Sequence, residues 1–256
     1  MNNEPYSLEQ ARRLSADEAA LLREQYEFKL FVGAHFGVVS RDTPAADRPT
    51  QQEYRQIEQL IADMKPGDIL CAEGYGLDPS TPMLTADVID TLEKRDTDVR
   101  ARIAAGLDTL RGNYCISLWD YAWHLAALKG AKTVLADHNS HEAEALSEHV
   151  GKPLPVLLAS ADSEDQKAAA IVQSQRETRA YNTVIDNVLA CSSGTQLQDK
   201  RYAVLMYGAS HRDGIRALFE ESSLPVNVLQ MDYSSMESRI IEHAYFDAFV
   251  RGIDPF

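Results

Sequence analysis

The chain has 256 residues, 45% of them hydrophobic, with 39 acidic against 25 basic side chains and a formal net charge of -14 at neutral pH. That length is enough for one large α/β domain, and the acidity argues against nucleic acid or an anionic membrane as partner, because phosphate binding needs clustered Lys and Arg. Cys71, Cys115 and Cys191 form no CxxC pair, the apolar settings of Cys71 and Cys115 suggest buried thiols in a reducing compartment, and no apolar run approaches the roughly 20 residues of a membrane span, so the expected location is the cytoplasm.

Capping-box patterns, Ser7 with Gln10 and Ser15 with Glu18, predict one broken or two short helices, so that 1–27 reads as a helical N-terminal extension. Phe28 to Val32 reads as the first strand, ending in Gly33-Ala34-His35 before a polar, proline-marked loop. Thr50 with Glu53 opens a helix expected to run through Met64, and Asp68 to Ala72 reads as a buried strand followed directly by Glu73, Gly74 and Tyr75.

Residues 83–110 carry a helical pattern that is charged on one side, whereas Asn113 to Ala127 mixes apolar and aromatic residues without a clear period. Trp119, Tyr121, Trp123 and His124 could line a pocket, but such clusters more often form core. Lys132 to Ala136 is the next expected strand, ending in Asp137-His138-Asn139. Asn139 with Glu142 predicts a short helix to Val150, and Ser163 with Gln166 a long one to about Leu189.

Tyr202 to Tyr207 is apolar almost without interruption, as in a strand buried on both faces, and Gly208 turns the chain so that His211 precedes a helix over Asp213 to Glu221. Pro225 to Met231 reads as the last strand, and Ser234 with Glu237 caps a C-terminal helix within 232–256. The expected fold is therefore α/β, a central and mostly parallel sheet flanked by helices on both faces in a single domain.

Four expected strands end in polar residues: His35, Glu73, Asp137 with His138, and His211. Parallel strands point the same way, so their carboxyl ends share one rim, where residues distant in sequence meet. Two imidazoles and a carboxylate, His35, His211 and Glu73, suit a divalent metal ion with positions left open for water and substrate. The same residues could work without metal, a histidine serving as general base and Glu73 orienting it. Burial alone would favour a protonated Glu73, whereas a metal or Arg176 beside it would favour the carboxylate. On the long helix, Arg176, Arg179 and Asn182 recur every third residue, and an arginine over the crevice could bind a carboxylate or meet developing oxyanion charge. GxSxG, Walker, GxGxxG and HExxH motifs are all missing from the sequence, which argues against the enzyme classes they mark.

The order of these parts resembles the TraB and Tiki superfamily, which includes haem-binding ChaN-like proteins and erythromycin esterase-like enzymes. The resemblance spans about residues 28–221. It is carried by Gly33 and His35, Glu73 in ILCAEG, Gly130-Ala131-Lys132 through Asp137, Arg176-Glu177 in RETRAYNTVIDNVL, and Gly208 to His211 in AVLMYGASHRDGI. The first motif, GAH, is one residue shorter than the family's GxxH, and Ala180 stands where the family often has methionine. The resemblance implies an α/β sandwich with a site built by the two histidines and the glutamate. Activities within the superfamily range from metal-dependent proteolysis to ester hydrolysis and haem binding. The expectation is a hydrolase of peptide or ester bonds, metal-dependent, acting on a small-molecule or peptide substrate. His35, Glu73, Arg176 and His211 would carry the chemistry, with Tyr75, Asp137, His138, Arg179 and Asn182 around the substrate. The alternative is a haem- or small-ligand-binding protein without catalysis, with Tyr75 or a histidine on the ligand.

Overall fold

A computed structural model describes residues 10–33, 43–44, 47–74, 82–137, 152, 156–157, 160–192 and 199–232. His35, Tyr75, His138, the Ser7 cap, the expected helix after Asn139 and the expected C-terminal helix after Ser234 lie outside the described residues.

The Ser15 capping box forms, its Oγ accepting from Glu18 N and its own N–H donating to the Glu18 carboxylate, and it opens α1 (Ala16–Gln25). Tyr26, expected inside a helical segment, closes α1 through its N–H to Leu22 O while already extended (φ -127°, ψ 146°). The helix therefore passes straight into β1 (Tyr26–Gly33), two residues earlier than its apolar run suggests. The Thr50 box also forms, with both Thr50 and Glu53 fully buried, and opens α2 (Gln51–Ile61), which stops three residues short of Met64. Gly67, at φ 97°, supplies the left-handed turn before β2 (Ile69–Ala72), whose four residues are all buried.

The helical stretch expected over 83–110 is two helices, α3 (Ala86–Glu93) and α4 (Val99–Gly112), separated by turns at Lys94–Asp98. Arg100 spans the break, bonding Glu93 at 2.7 Å and Leu128 O at 2.8 Å and pairing with Asp90. Next, α5 (Leu118–Leu128) buries every residue except Leu125 and Leu128. A helix enclosed on nearly all sides needs no polar face, so its sequence carries no 3.6-residue period. Trp119, Tyr121, Trp123 and His124 are core residues of this helix. Cys71 is buried, whereas Cys115, expected to be so, is half-buried in the turn after Tyr114, and none of the three cysteines is in a disulfide.

β3 (Lys132–Leu135) leads through undescribed chain to α6 (Ser163–Cys191). The cap of α6 is Asp162 rather than the expected Ser163, with its carboxylate accepting from Glu164 N and Asp165 N. β4 (Arg201–Gly208) is followed by one 3₁₀ turn (Ala209–His211), α7 (Arg212–Glu221) and β5 (Val226–Gln230).

Among the described residues five strands form one parallel sheet in the order β3-β2-β4-β1-β5, flanked by helices, which is the expected α/β class. Parallel neighbours need long connections, and helices supply them. Two compact units divide the chain. The first holds Met1–Val32, Cys71–Tyr75 and Val134–Leu229; the second holds Gly33–Leu70, Gly76–Thr133 and Gln230–Phe256. Within the first, α6 packs on α1, β4 and α7, and Phe219 of α7 meets Phe28 and Tyr181 at ring separations of 5.3 Å. Within the second, α5 packs on α2, α3 and α4, with Tyr54 edge-on to Tyr121 at 5.2 Å.

Candidate functional site

Glu73 follows the last residue of β2, Asp137 lies two residues past β3, and Gly208 ends β4 just before the turn that carries His211. Ladder bonds from Glu73 N to Met206 O (2.9 Å) and from Ala136 N to Ala72 O (2.8 Å) hold these strand ends level. The carboxyl-end rim thus brings Glu73, Asp137 and His211 together, and α6 lays Arg176 among them. All of these residues belong to the first compact unit.

Arg176 is the hub. Its Nε donates to Asp137 Oδ2 at 3.1 Å, and its Nη2 donates to the same oxygen at 2.8 Å and to Glu73 Oε1. The guanidinium side chain is 12% exposed, against 0% for Glu73 and 5% for Asp137. Such a buried group holds together only when its remaining polar atoms are also satisfied. Here they are: Glu73 Oε2 accepts from Gly208 N at 2.6 Å, and Asp137 Oδ1 accepts from Gly74 N at 2.7 Å. Burial works against the charge on Arg176, but Tyr207, Glu73 and Asp137 outweigh it and hold the group above its ordinary range.

Tyr207, the penultimate residue of β4, completes the network with its hydroxyl donating to Asp137 Oδ2 at 2.9 Å. Its ring lies 5.7 Å from the Arg176 guanidinium carbon, within cation–π reach. Burial first, then the charge of Asp137, pushes this phenol well above its ordinary range, with Arg176 pulling the other way. The hydroxyl is therefore a donor throughout the neutral range. An apolar strand pattern conceals such a residue, because Tyr reads as packing; its position one residue from the strand end is the only local signal.

His211, 4% exposed at its side chain, stands edge-on to Tyr207 with its Nε2 3.4 Å from Arg176 Nη1. Its Nδ1 is 3.0 Å from Glu177 Oε1. The sequence suggested Glu73 as the carboxylate that orients a histidine base. The carboxylate beside the His211 ring is that of Glu177, and Glu73 is bonded to Arg176 and Gly208. Adjacent helical positions are about 100° apart, so Arg176 faces the strand ends while Glu177 faces α7. Room for it comes from Gly214, where a Cβ would lie 1.9 Å from Glu177 Oε2.

Asn182 does not continue the row as expected. Each three-residue step falls about 60° short of a full turn, so Asn182 is roughly 120° round the helix from Arg176. Its amide instead secures the segment before α1, accepting from Arg12 N at 2.8 Å and donating to Gln10 O at 3.0 Å. Arg179 is half-buried.

Of the expected metal ligands, His35 lies outside the described residues, and Glu73 and His211 both face the Arg176 cation. Among the described residues no group of three His, Cys, Asp or Glu side chains is placed to hold a metal ion. The guanidinium lies between the Glu73 and Asp137 carboxylates. What the cluster offers chemically is a fixed cation beside an imidazole whose far nitrogen is anchored by a carboxylate. No helix among the described residues is long and apolar enough to cross a membrane. No protein-family model, curated protein or solved structure matches the chain.

Proposed function

We propose that this protein is a hydrolase of ester or amide bonds in which His211 is the general base and Arg176 the fixed positive charge. The observation that carries the reading is the 3.4 Å approach of His211 Nε2 to Arg176 Nη1 at the carboxyl-end rim of a parallel sheet, where such folds place their ligands. An imidazole able to accept a proton and a preorganised donor beside it are the two parts acyl transfer needs.

In this reading the substrate carbonyl oxygen takes over the Nη1 hydrogen bond from Nε2, which frees that nitrogen to take a proton from water as the water oxygen bonds to the carbonyl carbon. The carbonyl π pair moves to its oxygen, and Nη1 meets the negative charge. Collapse re-forms the carbonyl and breaks the bond to the leaving oxygen or nitrogen, which takes the proton back from Nε2. Glu73 and Asp137 keep the guanidinium still, so that little reorganisation accompanies the charge as it develops.

The test is hydrolysis of a panel of aryl esters and short peptides by purified wild type and His211→Asn, each with and without EDTA. Loss of about 10²–10⁴-fold in kcat for His211→Asn, with activity indifferent to EDTA, supports the reading. Activity abolished by EDTA and restored by a divalent metal favours the metal-dependent version. Wild type that hydrolyses nothing in the panel, or a His211→Asn variant as active as wild type, overturns the assignment.

A further inference from the structure

A guanidinium has only donors to offer. The contact between Arg176 Nη1 and His211 Nε2 at 3.4 Å is therefore a hydrogen bond only if Nε2 carries no hydrogen and presents its lone pair. On the other side of the ring, Nδ1 is 3.0 Å from Glu177 Oε1, and a carboxylate accepts. Both contacts are satisfied by one arrangement of a neutral ring, with the proton on Nδ1 and the lone pair on Nε2. Free neutral histidine does not fix this choice; partners on both nitrogens do. With nothing bound between them, the doubly protonated ring would set an Nε2–H against the Arg176 donors.

Glu177 is itself closely confined. The α7 backbone lies so near that a Cβ at Gly214 would stand 1.9 Å from Oε2, 2.4 Å from Cδ and 2.8 Å from Oε1. Its side chain is 15% exposed. The carboxylate is thus pressed between the α7 backbone on one side and the His211 ring on the other, and the chain supplies the one residue without a side chain where it passes.

From this geometry we infer that Glu177 is a positioning residue, which locks His211 in the Nδ1–H tautomer and so makes Nε2 the nitrogen that exchanges protons with a bound molecule. The inference rests on the reading of His211 as the base, but its first readout does not. Long-range proton–nitrogen correlation spectra of ¹⁵N-labelled protein distinguish the two neutral tautomers, and His211→Asn identifies the His211 signals among those of the seven histidines.

Wild type is expected to show His211 as Nδ1–H. Glu177→Gln, whose amide oxygen still accepts, keeps that pattern, and Glu177→Ala moves the population toward Nε2–H. In hydrolysis assays Glu177→Ala should lower kcat about 100-fold or more with KM little changed, and Glu177→Gln should recover much of that loss. A wild-type Nε2–H pattern, or a Glu177→Ala spectrum identical to wild type, overturns the inference. If Glu177→Ala unfolds, as circular dichroism would report, the wild-type and Glu177→Gln spectra still decide the tautomer. Should the tautomers behave as expected while no substrate is hydrolysed, the lock stands and the hydrolase reading falls.

Discussion

Tyr207 and Asp137, 70 positions apart in sequence, meet through a 2.9 Å bond from the phenol to Oδ2, the same oxygen that takes two bonds from Arg176. Tyr207→Phe removes one of three donors to a buried oxygen without changing the shape of the core. Losing a hydrogen bond to a charged acceptor costs about 1.5–3 kcal/mol. Urea unfolding should therefore show a lower midpoint at unchanged slope, and no shift in midpoint would mean that the Tyr207 hydroxyl contributes nothing to Asp137.

Arg176 holds two buried carboxylates, so removing it should cost more than removing either of them. Arg176→Met leaves both Glu73 and Asp137 without their cation, a loss of about 3–5 kcal/mol for a broken buried pair. In the triple variant Arg176→Met, Glu73→Gln, Asp137→Asn no charge remains, and part of that loss should return. A triple variant less stable than Arg176→Met alone would show that the carboxylates act through partners other than the guanidinium.

Glycine-to-alanine changes in a helix ordinarily gain up to about 1 kcal/mol. Gly106, on α4, has nothing within 4 Å of a built Cβ, and Gly106→Ala should show that gain. At Gly214 the same change drives a methyl into the Glu177 carboxylate, and a loss of about 1–3 kcal/mol is expected. Thermal melts of the two variants should move in opposite directions. Equal and upward shifts would mean that Glu177 leaves without cost.

The phenols of Tyr54, Tyr121 and Tyr207 are all raised, burial being the first cause in each. A group whose folded pKa is raised binds its proton more tightly in the folded state. Its stabilisation is complete below the unfolded value of about 10 and is lost as pH climbs through the folded value. Melting temperature should thus fall above about pH 10, and tyrosinate absorbance from these three should rise only with unfolding. Full ionisation of all eleven tyrosines in still-folded protein would contradict this.

The cap of α6 separates two adjacent residues. Asp162→Ala should cost about 1 kcal/mol, because its carboxylate accepts from Glu164 N and Asp165 N, whereas Ser163→Ala should be close to neutral. Chemical denaturation of the pair decides between them.

The sequence by itself determined the five strands, the parallel sheet class and the capping boxes at Ser15 and Thr50, because strand burial and helix caps are written in residues adjacent along the chain. It also marked Glu73, Asp137 and His211, since a polar residue at the end of an apolar run is a local signal. Where an element is enclosed on nearly all sides, as α5 is, the periodic signal vanishes and the sequence falls silent. Only the tertiary structure decided which groups pair. Arg176 meets Glu73 across 103 positions, and His211 takes Glu177 rather than Glu73 as its carboxylate. The pairing depends on how far α6 rotates over the strand ends and how closely α7 approaches it at Gly214. Both are set by packing between elements distant in the chain, and no spacing within one segment encodes them.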